Sequence, residues 1–203
     1  MLRKSPPKSE RLRDARRPRA LRTRSRVAFA MGIAVLGLTA AASPRVAAPG
    51  PIAQVEVGGR APDASFVTIQ GTVHRLSEFR GRPVMLWLFA TWCDTCRAGT
   101  AALAEHIQQL DRAGLHAIQL RLYGNLGYPG PSVREVARTD AGPAWSSSAW
   151  TWGEASKELS FTYDPKGYVD IYFLIDRNGI IRAIGGAPNA TMDQILSFVQ
   201  HAR

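Results

Sequence analysis

Cys93 and Cys96 are the only cysteines of the chain, and their spacing indicates a specific chemistry. They come after a continuous apolar run at residues 84–90, which predicts a strand buried on both faces. An apolar pattern of helical period comes next, so we expect Cys93 at the start of a helix. Free backbone N–H groups and the positive dipole end of a helix stabilise a thiolate, which is the nucleophilic form of cysteine. Cys96 lies one turn further on, within reach of Cys93.

This pair favours thiol–disulfide exchange. Cys93 would attack a partner disulfide to form a mixed disulfide, and Cys96 would then displace the product, whereas the reverse sequence would oxidise a dithiol. A purely structural disulfide is the first alternative, but it would close so short a loop that it would stabilise the fold only weakly. A zinc site is the second alternative, and the sequence has neither a second Cys-x-x-Cys nor histidines at ligand spacing.

The basic charge of the chain is concentrated at its N-terminus. The formal net charge is +10, and residues 1–26 hold 11 of the 26 Lys and Arg but only 2 of the 16 Asp and Glu. The rest of the chain is therefore nearly neutral. Because a globular nucleic-acid-binding protein carries its basic patch on the fold, this distribution argues against a nucleic-acid partner.

The N-terminal region predicts export. Residues 1–26 read as a basic cytoplasmic arm, residues 27–43 as a hydrophobic anchor or signal segment, and residues 44–57 as a linker. A basic flank ahead of an apolar run keeps the N-terminus in the cytoplasm and sends the C-terminal part of the chain across the membrane. We therefore expect residues 58–203 in the periplasm or at the outer face of the cytoplasmic membrane. A cleaved signal peptide and a retained membrane anchor are equally compatible with the sequence.

Apolar periodicity and turn residues divide the remainder into strands and helices of an α/β sandwich with a mixed sheet. Residues 123–152 are rich in Gly, Pro and Ser and are predicted as loop around one short helix. Thr191 is the expected N-cap of the last helix. The predicted elements are a hairpin at 65–69 and 73–76, a strand at 84–90, a helix after the cysteines, a strand at 118–122, short helices near 133–137 and 155–159, a hairpin of strands at 171–175 and 180–184, and the last helix.

Three sequence blocks resemble one family: GGRAPDASF, LSEFRGRPVMLWLFATWCDTC and YFLIDRNGIIRAIGG. Together they are similar to the TlpA/ResA-like branch of the thioredoxin superfamily over roughly residues 58–203. The resemblance implies a thioredoxin-like mixed β-sheet flanked by helices, with an N-terminal β-hairpin extension. It also implies an extracytoplasmic oxidoreductase that acts on protein disulfides without a cofactor. By resemblance, Cys93 is the nucleophile and Cys96 the resolving thiol. We expect Trp92, Asp94 and Thr95, the residues beside them in the sequence, to support this pair.

The sequence departs from that family pattern at four positions. Thr95 stands where the family usually has proline, and Gly99 stands where a glutamate is common. Trp87 occupies a position that is often a polar Asn or Asp, and Asp170 aligns with the cis-proline that faces the dithiol. We therefore expect the Asp170 carboxyl to lie against the dithiol. It is a candidate proton relay, and the alternatives are a third metal ligand or a side chain that faces solvent or caps a backbone N–H.

Two other functions are compatible with these residues. A copper-handling metallochaperone of the same fold would bind Cu(I) through the two cysteines. Sco-type copper chaperones often carry Val-Asp-His near the matching strand, and here Ile171 stands in place of the histidine. A non-catalytic binding module would use a structural disulfide together with Trp145, Trp150 and Trp152 as a partner surface, although such residues more often cover an edge of the core.

Overall fold

The computed structural model describes residues 55–201. The predicted basic arm, the hydrophobic segment and most of the linker lie outside these residues. Within residues 55–201, no helix is both long enough and apolar enough to cross a membrane. The described part contains seven strands and four α-helices: β1 Ser65–Thr68, β2 Val73–Arg75, β3 Val84–Phe89, α1 Asp94–Arg112, β4 His116–Arg121, α2 Val133–Asp140, β5 Trp150–Ala155, α3 Lys157–Tyr163, β6 Ile171–Ile175, β7 Ile181–Gly186 and α4 Pro188–His201.

The strands form one mixed sheet in the order β2-β1-β5-β4-β3-β6-β7. Strands β3, β4 and β5 are mutually parallel, while β6 runs antiparallel to β3 and β7 antiparallel to β6. The hairpin of β1 and β2 extends the sheet at the edge of β5. The prediction of a mixed sheet with flanking helices and an N-terminal hairpin is confirmed.

Strand β3 is an interior strand with every residue buried, as its continuous apolar run predicts. Alternate side chains enter two cores on opposite faces of the sheet. Met85, Trp87 and Phe89 face the core that helices α1, α2 and α4 cover. Leu86 and Leu88 face the second core, to which β1 and α3 contribute. The segment after β3 therefore leaves the sheet from a rigid support.

Helix α1 begins shortly after β3 and presents Leu103, Ile107 and Leu110 to the first core. The chain leaves the helix through Gly114, which has a φ of +86° and donates its N–H to the carbonyl of Asp111 at 2.8 Å. Glycine adopts this left-handed conformation without strain, so the sequence signal for the helix end has a direct physical cause.

The sequence prediction missed strand β5. It assigned loop to most of this segment and a helix to residues 155–159, whereas β5 ends at Ala155 and α3 begins only at Lys157. In β5 only Trp150 and Trp152 are large buried side chains, and Gly153 interrupts the alternation of apolar and polar residues that indicates a strand. A Cβ on Gly153 would collide with the backbone of β1. Close strand approach therefore requires the glycine that weakened the strand signal.

The predicted N-cap role of Thr191 is also wrong. The helical segment α4 begins at Pro188 and is kinked at Thr191, whose φ of −122° is non-helical. Its hydroxyl donates to the carbonyls of Gly186 and Ala187 at 3.0 and 3.2 Å instead of accepting from a helix N–H. Proline is favoured in the first turn of a helix because it needs no N–H there, which explains the earlier start.

Candidate active site

Cys93 is the N-cap residue of α1. Its backbone is extended, and its Sγ accepts a hydrogen bond from the backbone N–H of Cys96 at 3.3 Å. Both thiols are free. Cys93 is 8% exposed and Cys96 is completely buried, so an incoming disulfide can reach only the first sulfur. The arrangement places a nucleophile at the positive end of a 19-residue helix.

Thr95 adds a second polar contact to Cys93. Its Oγ1 lies 3.0 Å from the Cys93 Sγ. When Cys93 is a thiolate, only the threonine hydroxyl can be the donor, so this contact stabilises the charged sulfur. Proline, which the family usually has here, could not provide it. Asp94, the first residue of α1, is exposed, and among residues 55–201 no hydrogen bond or ion pair links its side chain to the dithiol.

Trp92 is held by the loop after β4. Its Nε1–H donates to the carbonyl of Asn125 at 3.0 Å, and its ring meets Tyr128 edge-on. The Asn125 side chain accepts from the Thr91 N–H and donates to the Thr91 Oγ1, each at 3.0 Å. The sequence prediction missed Asn125, because it assigned residues 123–152 to loop around one short helix. Asn125 has a left-handed φ of +54°, which asparagine tolerates better than most residues. An asparagine within a glycine-rich loop was the sequence feature that could have indicated this turn.

Cys96 lies in surroundings that disfavour its ionisation. Burial is the main cause that raises the pKa of its thiol, and its hydrogen bond with Cys93 and the negative charge of Asp170 raise it further. The buried thiol therefore remains protonated at neutral pH. To attack a mixed disulfide, Cys96 must lose its proton to a nearby acceptor.

Asp170 is the residue immediately before β6, and its side chain faces the interior. It is 8% exposed, and its Oδ1 accepts a hydrogen bond from the Trp87 Nε1–H at 2.9 Å. The Oδ2 is buried without a hydrogen-bond partner among residues 55–201. The alternatives in which Asp170 faces solvent or caps a backbone N–H are therefore wrong, and its negative charge contributes to the raised pKa of Cys96.

Gly99 provides the space that Trp87 occupies. A Cβ on Gly99 would lie 3.0 Å from the Trp87 Cη2 and 2.9 Å from the Pro188 Cδ, both closer than ordinary van der Waals contact. The indole of Trp87 thus fits between α1 and the start of α4 only because residue 99 has no side chain. Trp87, Gly99 and Asp170, three of the four departures from the family pattern, are therefore in contact with one another through the Trp87 indole.

Other residues singled out in the sequence have structural roles. Trp150 and Trp152 are buried and stack with ring centroids 4.3 Å apart, and Trp145 packs against the same core. They cover the core rather than form a partner surface. Within the part of the chain that the structure describes, no three His, Cys, Asp or Glu side chains come together as metal ligands.

We predict that limiting iodoacetamide alkylates Cys93 of the reduced protein at least about tenfold faster than Cys96, because each unit of raised pKa removes about nine-tenths of the reactive thiolate. Burial of Cys96 adds to this difference. Mass spectrometry of peptides from the labelled protein measures the ratio. Preferential labelling of Cys96 would reverse the assignment of nucleophile and resolving thiol.

A mixed sheet of this order, with a Cys-x-x-Cys pair at the start of the helix after an interior strand, defines a thioredoxin-like protein. Residues 57–123 match the model of the AhpC/TSA family. Solved structures that share the fold include the following two. A thiol:disulfide interchange protein from Bacteroides sp. has a TM-score of 0.55 and 18% identity over 73% of this chain and 93% of its own. Peroxidoxin BcpB from Mycobacterium tuberculosis has a TM-score of 0.58 and 14% identity over 73% of this chain and 98% of its own.

A curated relative identifies the branch of this superfamily. The chain is 32% identical to the thiol-disulfide oxidoreductase ResA of Geobacillus kaustophilus over 130 residues, which are 64% of this chain and 69% of the relative. The chain therefore belongs to the ResA-like thiol–disulfide oxidoreductases. The resemblance inferred from the three sequence blocks and the thioredoxin-like fold it implied are confirmed.

Proposed function

We propose that the protein acts outside the cytoplasm on disulfides of other proteins, with Cys93 and Cys96 as its redox-active pair. The observation that carries this proposal is the placement of the two sulfurs. Cys93 caps α1, keeps 8% of its surface exposed, and contacts the Cys96 N–H and the Thr95 hydroxyl, whereas Cys96 is fully buried. One sulfur can meet a partner, and the other can meet only the first sulfur.

Reduction of a partner disulfide then takes two steps. The Cys93 thiolate attacks one sulfur of the partner, the partner's S–S bond breaks, and its other sulfur leaves as a thiolate. Cys96 next gives up its proton and attacks the Cys93 sulfur of the mixed disulfide. The partner sulfur that was bonded to Cys93 leaves with the electron pair, and the enzyme is left with a Cys93–Cys96 disulfide. The partner has gained two electrons and the enzyme has lost two.

Asp170 is the proton acceptor for the second step in this proposal. Its Oδ2 is buried and has no hydrogen-bond partner within residues 55–201, and its negative charge is one of the causes that raise the pKa of Cys96. A buried thiol cannot transfer its proton directly to bulk water, so an internal carboxylate provides the required base. Trp92, Asp94 and Thr95 support the pair: Trp92 joins it to the loop after β4, Thr95 donates to Cys93, and Asp94 begins the helix.

The proposed location rests on the N-terminal sequence. A basic arm and an uncharged apolar run precede the linker, and this order directs the C-terminal domain across the membrane. The compartment outside is oxidising enough for protein disulfides to persist there. Membrane attachment through residues 27–43 depends on whether the segment is retained.

The test is reduction of a protein disulfide by the full-length chain. With dithiothreitol as the source of electrons, catalytic amounts of the protein should accelerate reduction of insulin, and the Cys93→Ser variant should not. Equal acceleration by Cys93→Ser would contradict the proposal. Stoichiometric copper in the purified reduced protein, together with absence of exchange activity, would instead support the metallochaperone function.

A further inference from the structure

Trp87, Gly99 and Asp170 come from β3, α1 and the residue before β6, and they form one packed unit. The indole ring of Trp87 fills the space above Gly99, and its N–H reaches the Asp170 carboxyl. Trp87 is 1% exposed, so its N–H has no access to water and must find an acceptor inside the protein. Asp170 supplies that acceptor.

Asp170 in turn depends on Trp87. Its φ of +70° is left-handed, a conformation that aspartate adopts more readily than most residues other than glycine and that is favoured when its side chain is fixed by a hydrogen bond. The bond from Trp87 is the one hydrogen bond that its side chain makes among residues 55–201. Because that bond engages Oδ1, it sets the rotation of the carboxyl group and leaves Oδ2 free.

The negative charge of Asp170 is among the causes that raise the pKa of Cys96 and of Tyr172. The Tyr172 hydroxyl is engaged elsewhere, since it lies 2.8 Å from both the Thr191 Oγ1 and the Gln194 Oε1. Burial raises the pKa of Tyr172, and Asp170 raises it further, so the phenol remains protonated. Cys96 lies one turn before Gly99 on α1 and is buried in the same core as Trp87, the residue that contacts Gly99 and bonds to Asp170. This placement makes Cys96 the candidate proton donor to Asp170.

The geometry assigns Trp87 the role of positioning residue, which holds Asp170 so that its free oxygen takes the Cys96 proton when the mixed disulfide is resolved. This inference rests on the proposed function. The proton moves from the Cys96 sulfur to the Asp170 Oδ2, the Cys96 sulfur bonds to the Cys93 sulfur, and the partner sulfur leaves as a thiolate. Trp87 takes no part in the bonding changes and acts only through Asp170.

The test monitors the reaction of the reduced full-length protein with a symmetrical aromatic disulfide, dithiobis(nitrobenzoate), by stopped-flow absorbance. Attack by Cys93 releases the first nitrothiophenolate, and resolution by Cys96 releases the second. The variants are Trp87→Phe, Asp170→Asn and the double variant. Trp152→Phe is the matched control, since it removes an indole N–H that donates to the Trp145 carbonyl at 3.0 Å.

We expect the first phase to be unchanged in all variants. Trp87→Phe should slow the second phase about tenfold, the change expected when a hydrogen bond to a charged group is lost. Asp170→Asn should slow it about 100-fold. The double variant should be no slower than Asp170→Asn, and Trp152→Phe should match the unmodified protein. The second phase should also rise more steeply with pH in the slowed variants, toward about tenfold per pH unit, because hydroxide must then ionise Cys96.

The outcomes separate this inference from the proposed function. Absence of both phases in the unmodified protein would refute the exchange function itself. Two normal phases with no slowing in Trp87→Phe, or with equal slowing by Trp87→Phe in the presence and absence of Asp170, would refute the positioning role alone. If Trp87→Phe does not fold, the indole N–H resonance of Trp87 in the unmodified protein and in Asp170→Asn decides. An unchanged resonance would overturn the inference.

Discussion

Replacement of Cys96 by serine is expected to convert the protein into a trap for its partners. The first step survives, because Cys93 keeps its position at the start of α1 and its contact with Thr95. The second step is lost, because serine cannot displace the partner from the mixed disulfide. Catalytic turnover should stop, and disulfide-linked adducts should accumulate. Non-reducing gels of the extracytoplasmic fraction from cells that express the full-length variant measure them.

The controls for this experiment are Cys93→Ser and the double variant. Neither should capture a partner, because the Cys93 sulfur is absent and Cys96, which is 0% exposed, cannot be reached. Reducing agent should release every adduct. Adducts that form equally well without Cys93 would show that Cys93 is not the attacking sulfur. Adducts found only in the cytoplasmic fraction would contradict the proposed location and leave the chemistry intact.

Replacement of Gly99 by glutamate, the residue that the family commonly has there, is expected to lower the free energy of unfolding by about 3 kcal/mol or more. Its Cβ would meet the Trp87 ring at 3.0 Å and Pro188 at 2.9 Å, and its carboxylate would enter a buried site. Urea unfolding of the full-length protein measures the change. Removing a glycine from a helix by itself stabilises the helix by up to roughly 1 kcal/mol. We expect the steric clash and the buried charge to outweigh this gain.

Ala98→Glu is the matched control for Gly99→Glu. Ala98 is the preceding residue of the same helix and is exposed, so the same new side chain can remain in water. We expect its effect on the free energy of unfolding to stay within about 0.5 kcal/mol. Equal stability of the two variants would show that the Trp87 ring does not require glycine at position 99.

The packed unit explains why a sequence can belong to a family and still break its pattern at the site. Trp87, Gly99 and Asp170 each differ from the residue the family commonly has, and each is explained by the other two. The large indole requires the glycine, and its buried N–H requires the aspartate. The three departures look independent along the sequence, because Trp87 and Asp170 are 83 positions apart and no local pattern links them.

Local patterns predicted most of the fold for clear physical reasons. The run at residues 84–90 is apolar because β3 is buried on both faces, and the helix after the cysteines shows its apolar stripe because one face packs on the sheet. The pattern failed at β5, where the neighbouring β1 demands a glycine inside the strand. It failed again at Thr191, whose hydroxyl bonds to the preceding carbonyls instead of capping α4.

The sequence alone therefore indicated thiol–disulfide chemistry, because it places two cysteines one helical turn apart after a strand that is predicted to be buried. That conclusion depends only on short-range features, since the helix start, the spacing of the sulfurs and the apolar run that predicts a buried strand can all be read from neighbouring residues. Only the tertiary structure decided the partner of Asp170, the room beside Gly99 and the support that Asn125 gives to Thr91. These contacts join residues far apart in the chain, and such contacts are set by how the strands and helices pack rather than by any pattern along the sequence.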